Sequence, residues 1–202
     1  MLTYISIVDR ISTAIGKAFG WYILILTFGV SYEVFVRYVL RDPTIWAYDL
    51  SYNMYACLFV MAGAYSLARN AHVRADTVYR LWSPRMKAAM DLTLFILFFF
   101  PGVLALTYSG YQYASESWHY GEVSVYSPAD IPISPLKSLI PAAGITLIFQ
   151  GIAEVFRCII CIRTNEWPPR LQDVEEMESA IMHEREYQAE HQQEISGGEL
   201  RS

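Results

Sequence analysis

Four apolar runs divide this chain: Ala18–Val39, Leu50–Ala68, Ala88–Tyr108 and Leu136–Ile162. Each meets or approaches the roughly 20 mostly apolar residues needed to cross a bilayer core about 30 Å thick. Lipid offers no water to an open backbone, so such runs become helices. The pattern predicts an all-α integral membrane protein with four transmembrane helices in residues 18–163. Ahead of them, within residues 1–17, Tyr4, Val8, Ile11 and Ile15 recur at helical spacing. That stripe predicts a short N-terminal amphipathic helix lying in the membrane interface, against the alternative of a frayed terminus. Asp9 and Arg10 interrupt the segment and the first run is of full spanning length, so it does not read as a cleaved signal.

Charge adds the orientation. Arg10 and Lys17 precede the first run; Arg69, Arg74, Arg80, Arg85 and Lys87 lie between the second and third; Arg157, Arg163 and Arg170 close the fourth. The opposite side carries only Arg37, Arg41 and Lys137. Cytoplasmic loops collect Lys and Arg, so both termini are expected in the cytoplasm. The outer segments are then Leu40–Asp49 and Ser109–Pro135. Pro128, Pro132 and Pro135 argue against a continuous helix in the second, and Tyr111, Tyr113, Trp118 and Tyr120 suit an interfacial aromatic belt. The formal net charge of −5 comes mainly from glutamates in the tail, residues 164–202. Val174, Met177 and Ile181 give that tail a faint helical stripe. Nowhere is there the basic field that nucleic acid requires.

Charges at membrane depth are functional candidates, because they are costly there. Glu33 and Arg37 stand four residues apart on one helix face and can pair. A structural pair near the outer interface is favoured over an ion pathway. Gln150, Glu154 and Arg157 form a second stripe, read the same way at the inner end. Pro101 and Pro141 are candidate kinks in the third and fourth helices. Cys158 and Cys161 have a CxxC spacing, but no second pair or nearby His accompanies them, and apolar packing is the favoured role. The histidines fall in loops or the tail, which disfavours a haem held between helices. His72 and Asp76 have metal spacing but are too few as ligands. No phosphate loop or nucleophile motif is present, so no enzymatic activity, catalytic residue, cofactor or metal is expected. The halves also lack the similarity of an inverted-repeat transporter, so this chain is not expected to carry a solute alone.

The centre of the chain is more specific. An Arg37 that ends the first run is followed by Pro43, Trp46 and an acid, Asp49, three residues after the Trp. Gly63-Ala64 then lies in the second run, and His72-Val73-Arg74-Ala75-Asp76 in the loop after it. This order resembles the small membrane subunit of tripartite ATP-independent periplasmic (TRAP) transporters, the DctQ-like family, over roughly Phe19 to Arg163. Asp49 departs from the Glu more usual in the family. The resemblance implies a multi-pass subunit of the bacterial inner membrane. It implies a large multispan TRAP membrane subunit and a periplasmic substrate-binding protein as partners, with membrane lipid around them. It also implies a scaffolding and docking role in sodium-coupled uptake of an organic acid or related solute. Structural or partner-interface roles then fall to Glu33, Arg37, Trp46, Asp49, His72, Arg74 and Asp76. Arg37, Trp46 and Asp49 are expected to cluster at the outer surface, with Arg37 and Asp49 neutralising each other. His72, Arg74 and Asp76 are expected to order the cytoplasmic loop. The rival class is a free-standing small membrane scaffold or assembly protein unconnected with transport.

Overall fold

The computed structural model describes residues 1–70, 82–168, 170 and, in the tail, 181–182, 184–185 and 187. Its elements are helical throughout the described residues, apart from one isolated bridge between Val123 and Pro132. Helix α1 (Leu2–Gly20) runs into α2 (Tyr22–Phe35) through Trp21, and α2 ends in a π-helical turn, Val36–Leu40. Arg41 stops it with a φ of 58°. Helix α3 is Ala47–Ala68. Helix α4 (Pro84–Leu94) opens with Ser83 Oγ accepting from the Met86 N–H and with Pro84 at its first position, a good start because proline has no N–H to leave bare. A π-helical turn, Phe95–Phe99, carries it into α5 (Phe100–Tyr120). Helix α6 (Ser134–Thr164) closes the fold.

Three of these stretches are long and apolar enough to cross a membrane: Leu2–Leu40, Pro84–Tyr120 and Ser134–Thr164. Helix α3 has 22 residues, but Asp49, Asn53 and four tyrosines make it less apolar. The 39 residues of Leu2–Leu40 would extend roughly 58 Å as one straight α-helix, about twice a bilayer core. The contacts of α1 account for the excess. Tyr4 reaches the Phe149 carbonyl, Ser12 reaches Gln150 and Asp9 reaches Arg157, while Gly16 abuts Tyr65. Helix α1 therefore packs extensively on α3 and also on the 149–160 stretch of α6. It buries Ile5, Val8, Asp9 and Ser12, so the N-terminal segment is a packed helix and not a frayed end.

The other helices form a layer. α6 lies in the middle, with α5 and α4 along one side of it and α3 along the other; α2 packs on the far side of α3. α5 has no extensive contact with α2 or α3 among the described residues. Glycine permits the close approach of α5 and α6. A methyl on Gly110 would stand 2.7 Å from Ile140 Cγ2, and one on Gly144 would run into Thr107. The π turn before Pro101 has its own logic. Pro101 has no N–H to offer the preceding turn, and the Phe100 N–H bonds back to Phe95, five residues away, so the helix continues with a shifted ladder.

The outer segment is partly helical. No continuous helix crosses Ser109–Pro135, as the prolines suggested, but the helix before the break runs on to Tyr120, and residues 121–133 leave it. Pro128, Pro132 and Pro135 all lie beyond that stop, so they break nothing in α5. Gly121, with a φ of 60°, ends the helix in the left-handed region that glycine enters freely.

Candidate functional site

Polar and charged groups gather at the two ends of the helical layer. At the end where α3 and α6 begin, Glu33 accepts from Arg37 at 2.9 and 2.7 Å. Its other oxygen accepts from the Thr44 N–H at 3.2 Å and from the Thr44 hydroxyl. Glu33 thus ties the short 41–46 connection back onto α2. Trp46 stacks on Tyr32, with ring centroids 6.5 Å apart. Asp49 lies in the first turn of α3, where a helix favours an acid, and is 2% exposed. The Ser124 hydroxyl donates to it at 2.7 Å, and the Ser127 hydroxyl donates to its second oxygen.

Those serines belong to a hairpin between α5 and α6. Ser124 N–H bonds the Ile131 carbonyl at 2.9 Å, and Ile133 N–H bonds the Glu122 carbonyl at 3.1 Å. Lys137, in the first turn of α6, pairs with Glu122, and its ammonium stands 3.8 Å from the Tyr113 ring centroid. The hydrogen bond from Lys137, with a further one from Ser117, holds the Glu122 carboxyl below the usual carboxylate range. Between α3, α5, α6 and this hairpin lies a cavity of about 340 Å³.

At the other end, Arg157 is fully buried and bonds both Asp9 of α1 and Glu154 of its own helix. Arg170 bonds Glu154 at 2.7 Å and the Leu67 carbonyl at 3.5 Å. Gln150 donates to Asp9 at 2.9 Å and accepts from Ser12 at 2.8 Å. Two acids and two guanidiniums balance in this network, which joins α1, α3, α6 and the segment after α6. Buried ions are tolerable only when paired and hydrogen-bonded in this way.

The sequence matches the family described as tripartite ATP-independent periplasmic transporters, DctQ component, over residues 26–160, more than half of the chain. The chain belongs to the DctQ family. It is also similar to the sialic acid TRAP transporter small permease protein SiaQ of Vibrio cholerae serotype O1, with 20% identity over 130 residues, covering 63% of this chain and 70% of that protein. This DctQ-family chain is therefore a TRAP small membrane subunit, a multi-pass protein of the inner membrane.

Set against this geometry, the expected residues fall into three groups. Glu33 and Arg37 pair as their spacing suggested, and so do Glu154 and Arg157. The Arg37–Asp49 pairing is corrected: Arg37 is taken by Glu33 on its own helix, and Asp49 is buried against hairpin serines. A neighbour one helical turn away needs no loop to be ordered first, so Glu33 captures the guanidinium. His72, Arg74 and Asp76 lie outside the described residues. Sequence reasoning missed Asp9, Arg170, Ser124, Ser127 and the Glu122–Lys137 pair. Asp9 carried a signal, since it shares a helical face with Ile5, Val8 and Ser12. The others depend on chain reversals that periodicity does not encode. Cys158 and Cys161 pack with Ala88, Leu92 and Trp167, which fits the packing role.

Proposed function

We propose that this TRAP small subunit scaffolds a large, multispan membrane subunit and helps dock a periplasmic substrate-binding protein, for sodium-coupled uptake of an organic acid. The observation that carries the reading is the layer itself. Among the described residues the layer is centred on α6, and its ion pairs lie at its two ends. Such a layer suits a wall beside a transporting partner better than a carrier. α3 acts as the fourth span, α1 lies in the interface across the inner ends of α3 and α6, and both termini are cytoplasmic. The outer hairpin, fastened by Asp49, is the part nearest a soluble docking partner. Arg37, Trp46 and Glu33 lie at the same end and face the large subunit, while His72, Arg74 and Asp76 order the inner loop. Sialic acid, in the name of the similar small permease protein, is one candidate solute.

Reconstitution tests this. Proteoliposomes holding this chain alone should take up no organic acid under a sodium gradient. Adding the large subunit and the binding protein should restore uptake. Uptake by this chain alone would overturn the reading, as would full uptake in its absence.

A further inference from the structure

The cavity of about 340 Å³ under the outer hairpin has a composition that ion pairing alone does not account for. Its mouth carries opposite charges, Glu122 and Lys137, and its wall carries the rings of Tyr52 and Tyr113. Its floor is apolar, with Ala56 and Val60 one and two turns below Tyr52 on α3. Lys137 is 7% exposed, whereas the Glu122 side chain is 43% exposed. The volume lies in the range of small-molecule sites, and a mostly apolar lining with a charged pair at its mouth suits an amphiphilic occupant.

We infer that this cavity seats the headgroup of a zwitterionic glycerophospholipid, with phosphate on Lys137, ammonium between Glu122 and the tyrosine rings, and an acyl chain along Ala56 and Val60. Depth supports the lipid. Lys137 lies in the first turn of α6 and Tyr52 in the second turn of α3, so the charged mouth lies at one end of the helical layer, where a spanning α6 would meet the membrane surface. Phosphate and ammonium are the ambient chemistry there, and the apolar floor continues toward the hydrocarbon. Charge supports the zwitterion. The Glu122 end of the pair is open to the outside, with its side chain 43% exposed, so its carboxylate can turn to a ligand, and a zwitterion gives each partner a new counter-charge. The ammonium also gains the Tyr113 ring once Lys137 turns from it to the phosphate. An anionic headgroup would satisfy Lys137 but set a second negative charge against Glu122. The inference rests on the fold and the membrane setting, not on the transport reading.

Native mass spectrometry of the full-length chain, released from nanodiscs of equal phosphatidylethanolamine and phosphatidylglycerol, tests it. The chain should retain one phosphatidylethanolamine in preference to phosphatidylglycerol. Lys137→Gln should weaken retention about tenfold, the worth of one charge-assisted contact. Glu122→Gln should erase the preference while retention of phosphatidylglycerol rises. Ala56→Phe leaves every charge in place but fills the floor, so it should abolish retention with an unchanged melting temperature. Glycerophosphoethanolamine, which has no acyl chains, should not displace the lipid at matched concentration. Retention that ignores the headgroup, or that survives Ala56→Phe, would overturn the site. Equal binding of the chain-free headgroup would overturn the lipid as its occupant.

Discussion

Asp49 accepts two serine hydroxyls from a hairpin 75 and 78 residues farther along the chain, and it is almost fully buried while doing so. Its role is to fasten the hairpin to the start of α3. Asp49→Ala would leave both serines without their acceptor, a loss of about 3 kcal/mol if each charge-assisted bond is worth about 1.5. Asp49→Asn keeps one oxygen and should cost about half of that. The test is denaturant unfolding in detergent together with protease cleavage within residues 121–133, which should rise in the alanine variant. Glu122 gives a second residue-scale expectation. Its carboxyl is held below the usual range by Lys137, so the pair stabilises the fold above the unfolded value of roughly 4.3. That contribution disappears as pH falls through the lower folded value. Melting temperatures of the wild type and Glu122→Gln should therefore differ at neutral pH and converge in acid. A constant gap from neutral pH to pH 3 would mean that the pair contributes nothing through its charge.

The helices were legible in the sequence to different degrees, and the differences have physical causes. Helix α6 follows its apolar run nearly to the residue, because Pro135 and Asn165 punctuate its ends. Helix α5 was read about a dozen residues short. Its last three turns are rich in Tyr, Ser and Gln, and apolar periodicity fades there although the backbone has no reason to stop before Gly121. The N-terminal stripe of α1 was visible, but its partner was not, since Asp9 and Arg157 are 148 residues apart. That contact yields a test at the scale of the element. Asp9→Ala removes the carboxylate that fixes α1 on α6, leaving Arg157 with Glu154 alone. Trypsin should then cut faster after Arg10 and Lys17, while cleavage elsewhere keeps its wild-type rate. Arg157→Ala is the harsher change. It leaves Asp9 without its guanidinium and Glu154 with Arg170 alone, and stranding a buried charge costs about 3–5 kcal/mol. Arg157→Lys should rescue little of this, because one ammonium cannot serve two carboxylates with a planar fork. If Asp9→Ala leaves tryptic cleavage unchanged, α1 is held by its apolar stripe and the ion pair is incidental.

Across the whole molecule the undecided element is α3, which is long enough to span but less apolar than its neighbours. Its tyrosines and Asn53 lower its hydropathy, and Tyr48, Tyr52 and Tyr55 are more than half exposed, but its one acid is withdrawn into the protein. Asp49 is satisfied by serines, and Tyr52 meets the Tyr126 ring. Helix α3 also packs against α2 on one side and α6 on the other, as a spanning helix in a layer would. Cysteine labelling resolves the question because the exposed positions are well placed. Asp42 lies in the exposed connection before α3, Val125 at the hairpin tip is 89% exposed, and Glu166 is exposed beyond α6. One spanning helix separates Val125 from Glu166, so those two must lie on opposite sides. Between Asp42 and Val125 lie α3 and the continuous stretch from α4 to α5. If α3 spans, Asp42→Cys and Val125→Cys should both react with an impermeant maleimide added outside intact cells, in a chain whose three native cysteines are alanine. Glu166→Cys should react only after permeabilisation, as the Lys and Arg distribution requires. Reaction of Val125→Cys but not Asp42→Cys from outside would remove α3 from the membrane. Reaction of Glu166→Cys alone would invert the orientation of the whole chain.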